Sequence, residues 1–237
     1  MHQLDRSSTV AQIVTEHAAS ARVFQKHGID YCCRGNVTVP VACQERRLDP
    51  EALFAELEAV LPADGRQPEE NPRDLPTAAL IARIIDRHHG YLRRALPYIA
   101  PIAAKVASVH GGKDGRLGEI DSVFRALAAS LVPHLEEEET VLFPALMAAR
   151  PDESVVRREV QRMHEDHLAV GDMLARLRAL SDGYATPEWG CNTYRVLMAE
   201  LEGLEADILR HVHLENHVLV PRFIGTLGLE DRATQLN

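Results

Sequence analysis

The segment "HLEEEETVLFP", residues 134–144, places four consecutive glutamates one leucine after a histidine, inside a stretch whose apolar residues have helical spacing. A second segment, "HVHLENHVLVP" at residues 211–221, repeats the histidine at its first position, the glutamate at its fifth and the Val, Leu and Pro that follow. Five of the eleven positions therefore agree between the two segments. An internal repeat of this kind predicts two similar helices in a duplicated, all-α fold.

The H-x-x-x-E spacing puts His134 and Glu138 on one face of a helix, and His211 and Glu215 on one face of another, because residues i and i+4 are neighbours on a helix surface. Apolar residues continue both faces, so we expect all four side chains to point into the core. Carboxylates and imidazoles buried without partners would cost several kcal/mol each, and convergence on a metal removes that cost. The apolar residues on these faces are Leu127, Leu131, Val141 and Ala145 around His134, and Leu204, Ile208 and Val218 around His211.

The remaining charged residues of the two segments are expected on the outer surface of their helices. By the same helical geometry they project away from the histidine and glutamate pair. Most of the glutamate run is therefore a solvated face, and Glu138 is the exception. The residues placed outside are Glu136, Glu139, His213 and His217, with Glu137 toward the edge of the inward face.

Two further helical patterns carry histidines at mid-length, His88 with His89 and His164 with His167. In the later pattern, apolar spacing puts His167 on the core stripe. In the earlier one, periodicity slightly favours His88, whereas the repeat favours His89, since His89 precedes His134 by 45 positions and His167 precedes His211 by 44. The candidate ligand set is His89, His134, Glu138, His167, His211 and Glu215.

The chain divides at a proline-rich run, "LPADGRQPEENPRDLP", which breaks the periodic patterns on either side. Short helices are expected before it, and four long patterns with short breaks follow it, at about 75–109, 116–149, 153–181 and 188–225. Short connections make successive helices antiparallel neighbours, so we predict an up-down four-helix bundle. The predicted domains are 1–65, a small helical module, 66–76, a linker, and 77–237, the bundle.

Six nitrogen and oxygen ligands are too many for one tetrahedral zinc and too rich in carboxylate for a copper site. Two metals, each with two histidines and two bridging glutamates, account for every ligand, and bundle cores of this kind hold di-iron or di-manganese centres. Open coordination positions would accept a small molecule such as O2, NO or a peroxide. The alternative is a core network of hydrogen bonds without metal.

Composition excludes several classes of function. The formal net charge is -9 and the basic residues form no stripe, which argues against a nucleic-acid partner. No apolar run approaches the roughly 18 residues that would predict a membrane span. The first residues also lack the features of a signal peptide, so we expect a cytoplasmic protein with reduced thiols and no membrane partner.

The sequence at this point resembles a known family. The bundle is similar to hemerythrin-like domains, and nearly the whole chain resembles the di-iron iron–sulfur-cluster repair proteins of the RIC, YtfE and ScdA type, which include nitric-oxide-response proteins such as NorA and DnrN. The motifs that carry the resemblance are "IDYCCRG", "RHHG", "HLEEEETVLFP", "EDHLAVG" and "HVHLENHVLVP". The resemblance implies two non-haem iron ions on the six candidate ligands, favours His89 over His88, and makes Glu138 and Glu215 the bridges. Oxygen-carrying hemerythrins use a fifth histidine, which has no clear counterpart here.

The resemblance also implies a function. It predicts repair of iron–sulfur clusters damaged by nitrosative or oxidative stress, with iron donation or with NO binding or reduction at the di-iron centre, so that enzymatic turnover stays open. The partners would be NO or O2 and damaged iron–sulfur proteins. Two alternatives use the same irons: an O2 or NO binding or sensing module without turnover, and an oxidase or peroxidase. A homodimer through the front module also stays open.

Cys32 and Cys33 lie in "GIDYCCRG", after a helix that is expected to end at Gly28. One interpretation is a pair of small residues in a local core, because a disulfide between adjacent cysteines is strained. The other is a reactive thiol pair, with Arg34 favouring the thiolate, and the family resemblance favours it. Metal or cluster handling, thiol redox chemistry and trapping of NO would all fit. Cys43 and Cys191 are expected to be structural.

Overall fold

A computed structural model describes residues 4–61 and 71–224 of the chain, and of Ile224 only the backbone. Across these ranges the regular structure is helical, apart from one isolated β-bridge between Thr9 and Thr38. The predicted all-α class is therefore confirmed. Among the described helices, none has the length and apolar character needed to cross a membrane.

Four short helices form the first part of the chain, as predicted. Their bounds are Val10–Glu16 (α1), Ser20–Lys26 (α2), Val39–Arg46 (α3) and Pro50–Ala59 (α4). A 3₁₀ turn, Pro72–Asp74, and a helix, Thr77–Arg83 (α5), follow residues 62–70.

Local sequence signals set the ends of these short helices. Thr9 caps α1 in a capping box with Gln12, since each side chain accepts a hydrogen bond from the other residue's backbone N–H. Gly28, at φ 64°, ends α2: its N–H bonds to the carbonyl of Gln25, and the next N–H bonds to Phe24. Asp49 caps α4 with Pro50 at the first helical position, as predicted.

The later part of the chain contains the four predicted long helical stretches, three of which include a π-helical turn. The first runs through α5, a π segment at Ile84–His89 and α6 at Gly90–His110. The second comprises α7 at Arg116–Glu137, a π segment at Glu138–Leu142 and α8 at Phe143–Met147. The third is α9, Glu153–Leu180, and the fourth comprises α10 at Asn192–Leu214, a π segment at Glu215–Leu219 and α11 at Pro221–Ile224.

The long helices pack as a four-helix bundle. Helix α7 packs against both α6 and α9. Arg178 of α9 bonds to Glu205 of α10, and His88 Nδ1 lies 3.0 Å from Asp207 Oδ1 of α10, so the fourth helix contacts both the third and the first. Together with the short connections at 111–115 and 148–152, this arrangement is the predicted up-down bundle.

The first and second π segments displace the apolar face by one residue. Within them the backbone bonds run from residue i to i−5, as from Phe143 N–H to the carbonyl of Glu138. A proline lies six residues after the first glutamate of the second and third π segments, and a wider turn relieves the clash of its ring with the preceding carbonyls. The face expected to continue at Val141 and Ala145 continues instead at Leu142 and Leu146, which are buried while the expected pair is half-buried.

By compactness the chain divides into two units, Met1–Ile81 with Leu209–Asn237, and Ala82–Ile208. The first unit has a core of its own, with Phe24, Tyr31 and Phe54 fully buried. The predicted bundle domain, 77–237, thus contributes to both units. The predicted linker, 66–76, and the boundary at residue 65 lie partly or wholly outside the described residues, so these domain bounds stay a prediction.

Neighbouring residues on α7 provide a test of the bundle core. Leu131 is 2% exposed, whereas Val132, one position along, is 55% exposed. Leu131→Ala leaves a cavity and should lower the free energy of unfolding by about 2–5 kcal/mol, while Val132→Ala should change it by less than about 0.5 kcal/mol. Urea unfolding followed by circular dichroism measures both. Equal effects of the two substitutions would contradict the predicted face of α7.

Candidate metal centre

Glu138 lies among three histidines in the core of the Ala82–Ile208 unit. Its side chain is 3% exposed and stands at the start of the second π segment. Oε2 lies 3.4 Å from Nε2 of His89, and Oε1 lies 3.2 Å from Nε2 of His134 and 3.9 Å from Nε2 of His167. The two carboxylate oxygens therefore face different histidines, as in a carboxylate that bridges two cations.

His134 and His167 face each other across the same space. Their Nε2 atoms are 3.2 Å apart, and these atoms and a Glu138 oxygen all lie within 4.8 Å of one another. Ligand atoms that share one ion at about 2.1 Å each would lie about 3 Å apart around it. The spacing of the three groups fits one shared ion.

Two carboxylates outside this group fix the orientation of the imidazole rings. Nδ1 of His89 donates to Oε1 of Glu139 at 2.7 Å, and Nδ1 of His134 donates to Oδ2 of Asp166 at 3.2 Å. A neutral imidazole protonated at Nδ1 presents a lone pair at Nε2. In both rings Nε2 faces an oxygen of Glu138, and with the rings neutral a cation between the lone pair and that oxygen would turn their repulsion into attraction.

Glu139 corrects one expectation from the sequence. It was expected on the outer surface, but its side chain is only 24% exposed and contacts both His89 and Arg93. Burial opposes its ionisation, yet the hydrogen bonds with Arg93 and His89 outweigh that effect and lower its pKa. Glu139 is thus a carboxylate that supports His89. Its position beside Glu138 was visible in the sequence, but its partner lies on another helix.

His88 and His89 have different surroundings. His89 is fully buried and contacts Glu138, whereas His88 points to Asp207 on α10. The extra residue of the π segment explains why periodicity slightly favoured His88. Ile84 rather than Ile85 is the core residue one turn earlier, so the stripe reaches His89.

The second copy of the motif has the same local geometry, in the unit that includes Leu209–Asn237. Nε2 of His211 lies 2.9 Å from Oε1 of Glu215, and the two side chains are 1% and 0% exposed. Glu215 begins a π segment, as Glu138 does. The four sequence-predicted residues His89, His134, Glu138 and His167 thus come together in one unit, and His211 and Glu215 come together in the other.

A small cavity adjoins the histidines of the Ala82–Ile208 unit. Its volume is about 10 Å³, which is about the space that one water-sized molecule needs. His134 and Glu138 line its inner side, and the polar residues Glu137, Arg162 and Asp166 line it as well. Glu137 and Arg162 form an ion pair and are each partly exposed, so this cavity lies between the buried group and the surface.

Not every buried carboxylate in this unit has such surroundings. Glu205 is also buried, but Arg178 binds it through two nitrogens and Tyr184 donates a hydrogen bond at 3.1 Å. An arginine therefore balances its charge within the protein. At Glu138 the neighbouring groups are imidazoles, whose nitrogen donors suit a transition metal.

Comparisons with known proteins agree with this geometry. The hemerythrin HHE cation binding domain matches residues 80–223, more than half of the chain and the range that contains all six candidate ligands. The chain belongs to the hemerythrin HHE family. Residues 6–61 match ScdA_N, which is described as a domain of unknown function.

Relatives within this family share both parts. The iron-sulfur cluster repair protein ScdA of Staphylococcus haemolyticus is 33% identical over 93% of this chain and 99% of its own length. The iron-sulfur cluster repair protein YtfE of Yersinia pseudotuberculosis is 31% identical over 92% of this chain and 96% of its own length. The ScdA of Staphylococcus epidermidis is 29% identical over 91% of this chain.

The adjacent cysteines, Cys32 and Cys33, are buried and form part of a turn in the segment that matches ScdA_N. Backbone N–H groups of Cys32 and Cys33 donate to Oδ1 of Asp30 at 3.0 and 2.9 Å, and the two sulfur atoms are 3.4 Å apart. Burial, then the neighbouring Cys33 and Asp30, raise the pKa of Cys32 well above its usual value. The expectation that Arg34 favours a thiolate is therefore wrong for Cys32, which is a thiol at neutral pH.

The last part of the hemerythrin match holds this turn in place. Asn216 Nδ2 and His217 Nε2 donate to the carbonyl oxygen of Cys32 at 3.0 and 2.8 Å. His213 Nδ1 donates to the carbonyl of Tyr31 at 3.3 Å, and burial followed by the charge of His217 lowers the pKa of His213 to about 3. His213 and His217 were expected on an outer surface; they bind the cysteine turn instead.

Cys191 differs from its expected structural role. It is exposed, directly before α10, and its sulfur lies 3.2 Å from Nε2 of His110. The backbone N–H of Tyr194 and the hydrogen bond with His110 lower the pKa of this thiol to about 7. A helix N-terminus and a neighbouring imidazole favour a thiolate in just this way.

The pH dependence of alkylation should separate Cys191 from the buried thiols. Because its pKa is lowered, the thiolate is present above about pH 7, and the rate of its reaction with iodoacetamide should be half-maximal near pH 7 rather than near 8.5. His110→Gln should move that midpoint upward. Peptide mass spectrometry gives the rate for each cysteine, with buried Cys32 as the slow internal control. A midpoint near 8.5 in the unaltered protein would refute the role of His110.

Proposed function

We propose that the protein holds two iron ions on His89, His134, Glu138, His167, His211 and Glu215, with Glu138 and Glu215 as bridges. The observation that carries this proposal is the carboxylate of Glu138, whose two oxygens face the Nε2 atoms of different histidines. The second motif supports it, since His211 and Glu215 repeat the same spacing, the same burial and the same π turn. The family match to a cation binding domain also spans all six residues.

The chain's own groups prepare the ligands. Glu139 and Asp166 hold a proton at Nδ1 of His89 and His134, which keeps Nε2 available as a donor. The surrounding leucines exclude bulk water, which strengthens electrostatic interactions in the core. Two irons held here would supply open positions for NO or O2 and, when reduced, the two electrons that convert two NO and two protons to N2O and water.

We propose that this centre serves the repair of iron–sulfur clusters damaged by nitrosative or oxidative stress, in the cytoplasm. Relatives that carry the name iron-sulfur cluster repair protein share both parts of the chain at 31–33% identity. The cavity beside His134 and Glu138 has room for a water-sized molecule, which suits a diatomic ligand. Damaged iron–sulfur proteins would be the partners, and the thiols Cys32 and Cys33 would act in the same repair.

The glutamate run itself provides a matched series that tests the ligand assignment. Glu138→Gln removes the bridging charge and should abolish stoichiometric iron binding. Glu139→Gln removes the carboxylate behind His89 and should weaken iron affinity by about 10–100-fold. Glu136→Gln, on the exposed face, should have no effect. Iron content and competition with a chelator measure all three, and stoichiometric iron in Glu138→Gln would exclude the proposed bridge.

Repair itself needs a functional measurement. The iron-loaded protein, reduced without oxygen, should consume added NO with release of N2O and should reactivate an iron–sulfur enzyme previously inactivated by NO. A Cys32→Ser, Cys33→Ser variant should keep its iron and lose most of the reactivation. Unchanged reactivation would exclude a role of these thiols in repair.

The same experiment distinguishes the alternative of a binding or sensing module. In that case NO would change the iron spectrum reversibly, without N2O and without reactivation of the damaged enzyme. Such an outcome would contradict the repair proposal while leaving the six-ligand iron site intact.

A further inference from the structure

We propose that Asp30, Cys32 and Cys33 form a second metal site, separate from the six histidine and glutamate ligands, that binds one thiophilic divalent ion such as Zn²⁺ or Fe²⁺. All three ligands lie in the part of the chain that matches ScdA_N, and the proposal does not depend on whether the bundle residues hold iron. Three ligand atoms, one from each residue, lie within 4.8 Å of one another.

The distances between the donor atoms match a small tetrahedral site. The Cys32 sulfur lies 3.4 Å from the Cys33 sulfur and 3.2 Å from Oδ1 of Asp30. Around a tetrahedral ion with metal–sulfur bonds of about 2.3 Å and metal–oxygen bonds of about 2.0 Å, the corresponding separations would be about 3.8 and 3.5 Å. The donor atoms therefore need to move apart by only a few tenths of an ångström to admit the ion. Rotation of the side chains can provide this movement.

The turn that presents these donors is already ordered. Two backbone N–H groups fix the Asp30 carboxylate, and Asn216 and His217 fix the carbonyl of Cys32. Gly35 keeps the turn tight, because a Cβ at this position would lie 2.4 Å from the carbonyl oxygen of Tyr31. Little conformational entropy would be lost on binding, which favours affinity.

Charge and softness select the class of ion. Binding would replace the two thiol protons, which leave to solvent, and would join one carboxylate and two thiolates to a doubly charged ion. Thiolates favour Zn²⁺, Fe²⁺ or Co²⁺ over Mg²⁺ and Ca²⁺, which prefer oxygen ligands alone. Burial also raises the pKa of Cys32, so that in the absence of an ion Cys32 is a neutral thiol.

Three protein ligands leave one tetrahedral position for a ligand from outside the turn. Sites of this kind exchange ligands, whereas structural zinc sites supply four protein donors. Asp30 is the half-buried member of the group, while both cysteines are buried. An incoming ion or ligand would therefore reach the site past Asp30.

Cobalt titration of the full-length, iron-loaded protein tests the site. A Cys191→Ser background removes the exposed thiol, and the histidines and carboxylates of the bundle give no thiolate-to-cobalt charge-transfer band. One equivalent of Co²⁺ should produce that band and release two protons. Zn²⁺ should displace the cobalt, and Mg²⁺ should not.

Variants in the same background locate the band. Cys33→Ser and Cys32→Ser should abolish it, Asp30→Asn should weaken cobalt affinity about tenfold or more, and Cys43→Ser, at a buried but separate thiol, should leave it unchanged. Absence of the band in the unaltered turn, or its persistence in both Cys32→Ser and Cys33→Ser, would overturn the proposal. If Cys32→Ser fails to fold, Cys33→Ser and Asp30→Asn decide the question.

Iron content and cluster reactivation, measured on the same samples, separate this proposal from the repair function. No cobalt band in a protein that retains iron and repair would remove only the second site. A cobalt band in a protein that fails to repair would leave the second site standing and count against the repair function.

Discussion

The bundle depends on the desolvation of Glu138, a carboxylate that lies where a helical core ordinarily has an apolar side chain. An isolated ionised carboxylate in such a place costs several kcal/mol unless other groups compensate its charge. The Ala82–Ile208 unit shows two solutions. At Glu205 an arginine supplies the opposite charge, whereas at Glu138 three imidazoles present nitrogen atoms. Because imidazoles bring lone pairs rather than a permanent charge, the second solution calls for a cation from outside the chain.

The inward-facing residues were predictable because their pattern is local. The i, i+4 spacing of His134 and Glu138 requires only that the segment be helical, and the repeat then identifies His211 and Glu215 without knowledge of tertiary contacts. What the spacing could not give is the phase of the core face across the first two π turns, whereas Val218 in the third is buried as expected. A period of 3.6 residues placed Val141 on the core face, but the wider turn that begins at Glu138 moves that face to Leu142. A similar one-residue displacement, in the π segment Ile84–His89, places His89 rather than His88 on the core face.

The supporting residues could not be predicted, because they are defined by partners on other helices. The sequence around Glu139 does not distinguish it from a solvated glutamate. Its role as a support comes from the contact with His89 on the first long helix. Asp166 likewise stands beside His167 in the sequence but serves His134. The outward histidines were misassigned for a related reason. A bundle helix normally has a solvated outer face, whereas α1 packs on the π segment Glu215–Leu219 and His213 bonds to Thr15.

The two copies of the repeat show how one helical segment serves two tasks. Their inward positions are the same, a histidine followed four residues later by a glutamate, while the position after the glutamate has diverged. In the first copy it is Glu139, which supports an imidazole, and in the second it is Asn216, which binds the carbonyl of Cys32. Glu215 and Asn216 are joined by a single peptide bond within one π turn. The hydrogen bond from Asn216 therefore ties the cysteine turn to the same backbone segment that carries Glu215.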